Sequence, residues 1–317
     1  MLCNRWQAFR GIRGRFGVEY AHSLNQAEKT MSTFDGHGSE SVWSRDHLRL
    51  FYREFGERQA ERTPVLCLPG LTRNSKDFIE LAAHLSTHRR VVCPDLRGRG
   101  QSDHDPDLTR YQLQTYLEDI WELLAVTDMP RVVVIGTSLG GLLAMMMAAA
   151  RPETVAGVVL NDIGPEIAPT GLRRISNYVG TLLAVGSWAE AIAQCKIVYG
   201  LSLPNLTEIE WVRFTRRQYS ENAQGQIHLE YDLKLGDALR RFGGVPEHAW
   251  ALYGTLKGVP TLAFRGALSD ILSPEVFDRM AMLKPDLMQV VVPNRGHVPL
   301  LNEPECQTAL DAFFTTF

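Results

Sequence analysis

Apolar residues in this chain fall into short unbroken runs separated by stretches where they recur every three or four positions. Leu48 to Phe55 reads as an early strand with partial alternation, and Pro64 to Leu68 as a short apolar strand stopped by Pro69 and Gly70. Helical spacing follows from Asp77 to Leu85. Arg90 to Cys93 predicts another strand, Tyr111 to Ala125 an amphipathic helix, Val132 to Ile135 a central strand, and Val155 to Asn161 the next one. Strands that are apolar throughout must be covered on both faces. The pattern therefore predicts an α/β fold, a mostly parallel, doubly wound sheet flanked by helices.

From about Gly164 to Lys257 strand-like runs largely give way to helix-compatible stretches such as Val185 to Val198 and Glu208 to Tyr219. The strand and helix rhythm returns with Thr261 to Phe264, a helix from Pro274 to Leu283, a strand from Met288 to Val292 and a last helix beginning near Pro304. This predicts a core made of residues 45–163 and 258–317, interrupted by an inserted helical cap at 164–257. Residues 1–44 read as a poorly ordered leader. Their start carries four arginines but no continuous apolar stretch of the length that a secretory signal needs, and Met31 begins a more conventional opening.

Nineteen residues from Val132 to Ala150 carry no charge, which raises the question of a membrane span. The run is punctuated, however. Four β-branched residues stop at Gly136, and helix formers begin after Gly141, so a buried strand, a turn and a buried helix are expected instead. At 317 residues and 45% hydrophobic the chain can bury a sizeable core. A formal charge of -3 offers no basic field for nucleic acid or an anionic membrane, which leaves a small-molecule substrate as the expected partner. Five cysteines without CxxC spacing indicate neither a disulfide framework nor a zinc site, and suit a reducing cytoplasm.

Candidate chemistry centres on Gly136-Thr137-Ser138-Leu139-Gly140, a G-x-S-x-G pattern between the central strand and the helical run. In that setting glycines permit a tight elbow that exposes a strained serine. A serine hydroxyl needs a base within hydrogen-bond reach and a third group to orient that base. His297 lies in a loop just past the last predicted strand, where its side chain would emerge at the carboxyl edge of the sheet. Asp270, in the turn after the preceding strand, completes the order Ser, Asp, His and is the preferred acid. Asp162, after the strand that precedes the cap, is the rival for that role and otherwise a turn or capping residue. Acyl transfer also needs donors for a developing oxyanion. The backbone N–H of Leu139 and that of Leu71, in the loop after Leu68, are the expected pair.

With these motifs in place, residues 45 to 317 resemble the α/β-hydrolase superfamily, specifically its capped serine esterase-like members. Pro94 to Ser102 likewise resembles the family's D-x-R-G-x-G-x-S turn, with Asp95 and its glycines shaping a loop near the site. Pro69-Gly70 departs from the family's common His-Gly form, a change that backbone donors tolerate. Similar folds that dehalogenate or open epoxides place an aspartate where this chain has Ser138, so the resemblance disfavours both activities. It implies a serine hydrolase that cleaves a carboxylic ester of a small to medium, largely apolar substrate through an acyl-enzyme. Lactone, thioester or C–C bond hydrolysis with the same triad is the alternative, and a ligand-binding receptor on a hydrolase fold is the rival of another class. No metal or organic cofactor is expected, since His84 and His88, although spaced i, i+4, have no third ligand nearby. Among the cap's large apolar residues, Trp211 is the candidate for the substrate pocket.

Overall fold

The structure, a computed structural model of the chain, describes residues 38–317. In chain order its strands are β1 (Gly38–Trp43), β2 (Arg49–Phe55), β3 (Val65–Leu68), β4 (Val91–Pro94), β5 (Val132–Thr137), β6 (Val155–Asn161), β7 (Tyr219–Glu221), β8 (Ile227–Leu229), β9 (Thr261–Gly266) and β10 (Met288–Val292). Eight of them form one sheet in the order β1-β2-β4-β3-β5-β6-β9-β10, while β7 and β8 pair with each other. β1 and β2 run antiparallel, as do β2 and β4, and every later neighbour is parallel. The strand order reverses between β3 and β5. In open α/β sheets the crevice at such a switch point, outside the strands' carboxyl ends, is where ligands bind.

Period-two alternation sends the two halves of each apolar strand to opposite faces. Leu66, Leu68, Val132 and Val134 enter one core layer, beneath α2 (Leu113–Val126) and α3 (Leu139–Ala150). Val65, Cys67, Val133 and Ile135 enter the other, beneath α1 (Ile79–Leu85) and the C-terminal helix Pro304–Phe314. This explains why the strands are continuously apolar. The uncharged run beginning at Val132 is β5 followed by α3, and among the described residues no helix is long and apolar enough to cross a membrane.

The predicted leader lies mainly outside the described residues, but its boundary moves. Residues 38–43 form β1, an edge strand whose backbone pairs with β2 from Gly38 opposite Glu54 to Trp43 opposite Arg49. Of its side chains only Val42 is buried, so the hydrophobic pattern carried little trace of it. Cys67, Cys93, Cys195 and Cys306 are buried free thiols.

Between β6 and β9 the chain folds into α4 (Pro169–Tyr178), α5 (Trp188–Tyr199), α6 (Glu208–Arg216), the β7 and β8 hairpin, α7 (Lys234–Phe242) and α8 (Ala249–Gly254). The helix expected over Glu208 to Tyr219 ends at Arg216, and Tyr219 opens β7 instead. Asn222 closes that hairpin, its N–H bonded to the Gln226 carbonyl, and Gly225, at φ 75 degrees, supplies the left-handed backbone that turns the chain there. A small core of Ile192, Cys195, Trp211, Val212 and Phe214 holds the insertion together. The remaining helices are α9 (Pro274–Leu283) and α10 (Pro304–Phe314).

Candidate active site

Ser138 stands between β5 and α3 with φ 51 and ψ -112, a conformation that non-glycine residues hold only when their surroundings impose it. The imposition comes from close packing. A Cβ on Gly136 would lie 2.3 Å from the Gly140 carbonyl oxygen, and one on Gly140 would lie 2.1 Å from that of Leu68. Ser138 also donates its N–H to the Asn161 carbonyl at 3.0 Å, which ties the elbow to the neighbouring strand.

Leu139 is the first residue of α3, so its N–H has no partner within the helix. Across from it, Gly70 brings the loop after β3 close enough that a Cβ there would sit 3.8 Å from that of Ser138. The turn after β4 braces this loop. Arg99, fully buried, donates Nε to the Leu71 carbonyl at 2.8 Å, and Asp95 accepts from the N–H groups of Ser75 at 2.7 Å and Gln101 at 2.8 Å. Burial pushes the Asp95 carboxyl above its ordinary range in spite of those two donors. The segment Pro94 to Ser102 thus fixes the carbonyl side of the Leu71 loop, and Leu71 and Ser138 line the same cavity.

His297 follows β10 on a loop that crosses the end of β9. Its Nε2 lies 3.0 Å from the Ser138 hydroxyl and its Nδ1 lies 2.7 Å from a carboxylate oxygen. That oxygen belongs to Asp162, which corrects the preference for Asp270. Asp162 comes directly after β6, is fully buried, and also accepts from the Gly266 N–H at 2.8 Å and the Ser269 hydroxyl at 2.7 Å. Asp270 instead holds the Arg174 guanidinium of α4 through two bonds of 2.6 and 2.8 Å. Burial raises the Asp270 carboxyl, but the Arg174 bonds and charge outweigh it and leave it below the usual carboxylate range.

The reason lies at Gly266. A Cβ there would meet the Gly296 and Arg295 carbonyl oxygens at 2.4 and 2.5 Å, so the His297 loop presses directly on the end of β9 and carries the imidazole past the Asp270 turn to β6. Gly266 and Ser269 were the residues that sequence reasoning overlooked. Both lie in the segment that suggested Asp270, and the glycine ending β9 was the available signal of a close backbone crossing.

Two cavities meet at Ser138. One is lined by Leu71, Leu139, Leu142, Ile163, Leu172 and other mainly apolar residues. The other includes His297, Tyr178, Tyr199, Phe214, Arg73 and Arg217. Trp211 borders neither. It is 5% exposed and packs edge-on against Phe214 at 5.7 Å inside the insertion, so its role as a pocket residue is corrected to one in the insertion's own core. On the helix surface His84 pairs with Asp311 at 2.7 Å.

A hydroxyl beside an imidazole, with the far side of that imidazole on a buried carboxylate, has the arrangement of a nucleophile, a base and a group that orients the base. Comparison with known proteins agrees with the fold. The family described as alpha/beta hydrolase fold matches residues 63–191. A 3-hydroxybutyrate-oligomer hydrolase of Cupriavidus necator is 32% identical over 84% of this chain and 93% of its own length. An sn-1-specific diacylglycerol lipase of Danio rerio, ABHD11, is 33% identical over 84% of this chain and 82% of its own. Among solved structures, an alpha/beta hydrolase from Novosphingobium aromaticivorans is 40% identical, with a TM-score of 0.84 over 88% of this chain and 98% of that one. With the elbow, the sheet order and these relatives in agreement, the chain belongs to the α/β-hydrolase family and is a hydrolase of that fold.

Proposed function

We propose that the protein is a serine hydrolase that cleaves a carboxylic ester of a small to medium, largely apolar substrate through an acyl-enzyme. The observation that carries this reading is the continuous line from Ser138 Oγ to His297 Nε2 at 3.0 Å and from His297 Nδ1 to Asp162 at 2.7 Å. His297 takes the Ser138 proton as the hydroxyl attacks, and Asp162 holds the imidazole in place and stabilises its protonated form. The N–H groups of Leu71 and Leu139 receive the oxyanion of the tetrahedral intermediate. His297 then protonates the departing alcohol, and water releases the acid by the same route in reverse.

The names of two relatives support ester chemistry, because 3-hydroxybutyrate units join through esters and a diacylglycerol lipase cleaves them. The insertion acts as a cap above Ser138, supplying Tyr178, Tyr199 and Phe214 to one cavity and Leu235, Leu239 and Phe242 to the other. Free buried thiols support a reducing, cytoplasmic setting.

The test is hydrolysis of p-nitrophenyl esters from acetate to decanoate by the wild type and by Ser138→Ala. Wild-type turnover that falls by about 10⁴-fold or more in the variant is expected. Turnover that survives the substitution would remove Ser138 as the nucleophile.

A further inference from the structure

The two cavities that meet at Ser138 differ in charge. The first has no ionisable side chain other than the phenols of Tyr111 and Tyr116. The second contains two guanidinium groups, Arg73 and Arg217, together with Asp77. Arg73 belongs to the same loop as Leu71, and its Cγ lies 3.6 Å from the point where a Cβ on Gly70 would sit, a point that is 3.8 Å from the Ser138 Cβ. The Arg73 stem and the Ser138 side chain therefore border one small space.

The bonding of Arg73 is incomplete. Its Nε donates to Asp77 at 2.7 Å and its Nη2 donates to the other oxygen of the same carboxylate. The Phe214 ring lies under the guanidinium carbon at 4.6 Å. Nη1 is buried and has no acceptor among the described residues. A guanidinium donates through a planar fork, and a buried N–H without an acceptor is unfavourable. Arg217, in the same wall, also has one carboxylate partner, donating to Glu80 at 2.7 Å.

The position of His297 assigns each cavity to one half of an ester. In the acylation step the bond between the acyl carbon and the alcohol oxygen breaks, and the proton that His297 took from Ser138 passes to that oxygen. The alcohol must therefore depart on the side of the imidazole. His297 lines the second cavity and not the first. The first cavity, on the Leu139 side, is left for the acyl chain.

From this, which rests on the esterase reading above, we infer that the substrate is an ester of an apolar acyl chain with an alcohol that carries a carboxylate, the carboxylate being received by Arg73 in the second cavity. Arg73 is then a specificity residue for the leaving alcohol. Leu239, in the wall of the first cavity, is one for the acyl chain.

The experiment compares butanoyl 3-hydroxypropanoate as the free acid with its methyl ester, which has the same skeleton without the charge. The wild type is expected to favour the free acid in kcat/KM by about tenfold or more, as a charge-assisted bond implies. In Arg73→Met that ratio should fall to near one, with the decanoate to butanoate ratio of p-nitrophenyl esters unmoved. Leu239→Trp should do the reverse, lowering the long to short ratio by about tenfold while leaving the acid to ester ratio in place. Because each readout is a ratio within one variant, a loss of folded enzyme does not imitate it. Equal wild-type turnover of free acid and methyl ester would overturn the inference, as would an exchange of effects between the two variants. Absence of turnover on every ester, p-nitrophenyl esters included, would instead sink the underlying esterase reading.

Discussion

Two turns at the carboxyl edge of the sheet each present an aspartate to the neighbourhood of His297, and they treat it differently. At the end of β6, Asp162 is fully buried and meets only uncharged donors and the imidazole. Beyond β9, Asp270 is partly exposed and already bound to a cation, Arg174. Both Asp270 oxygens are taken by that guanidinium, and the His297 Nδ1 is bonded to Asp162 instead. Burial beside neutral donors, not position in the chain order, separates the carboxylate bonded to His297 from the one that ties the insertion to the core.

Substitution can break this contrast. Asp162→Asn should lower kcat on p-nitrophenyl butanoate by about 10³ to 10⁴-fold, because the amide leaves the imidazolium without its counter-charge. If Asp270→Asn produced the larger loss, the assignment of the two acids would be reversed. Gly266→Ala should lower kcat by about 10²-fold, since its methyl would meet the Gly296 carbonyl at 2.4 Å and displace the His297 loop. Unchanged kcat would show that the loop does not depend on that crossing.

Smaller effects sharpen the other half of the contrast. Asp270→Asn should keep kcat within about tenfold of wild type and reduce stability by about 1 kcal/mol or less in urea unfolding, as expected of a partly exposed ion pair. That stability gap has a defined pH dependence. Because the folded-state value of Asp270 lies below its ordinary one, the pair's contribution is complete above the unfolded aspartate range, near about 3.9, and fades as pH falls through the folded value. Urea midpoints of wild type and variant should therefore differ at pH 7 and converge toward pH 3. A gap that widens on acidification would contradict the ion-pair account.

Much of this was legible in the sequence because it rests on local pattern. Val132 to Ile135 followed by Gly136-Thr137-Ser138 marks a buried strand and an elbow without reference to anything distant. Strand β1 was not legible, since an edge strand with one buried side chain leaves no apolar run. Neither was the hairpin at Tyr219, whose short strands pair only with each other. The choice between Asp162 and Asp270 depended on Arg174, 96 residues from Asp270 in sequence, and on a loop crossing at Gly266. Trp211 failed as a pocket residue because an aromatic at helical spacing says that a side chain is buried, and not against what.

The turn that braces the Leu71 loop also grips the insertion. Gly100 donates its N–H to the Glu230 carbonyl and Asp232 donates its own to the Gly98 carbonyl, each at 2.8 Å, on either side of a bridge between Arg99 and Tyr231. Those bonds are made by backbone and are indifferent to the side chains carried around them. A lineage can therefore exchange the residues at Tyr178, Leu239 or Phe242 and try new substrates while the seam at 230 to 232 keeps the roof registered over Ser138. Chemical novelty and mechanical continuity are written in different atoms of the same insertion.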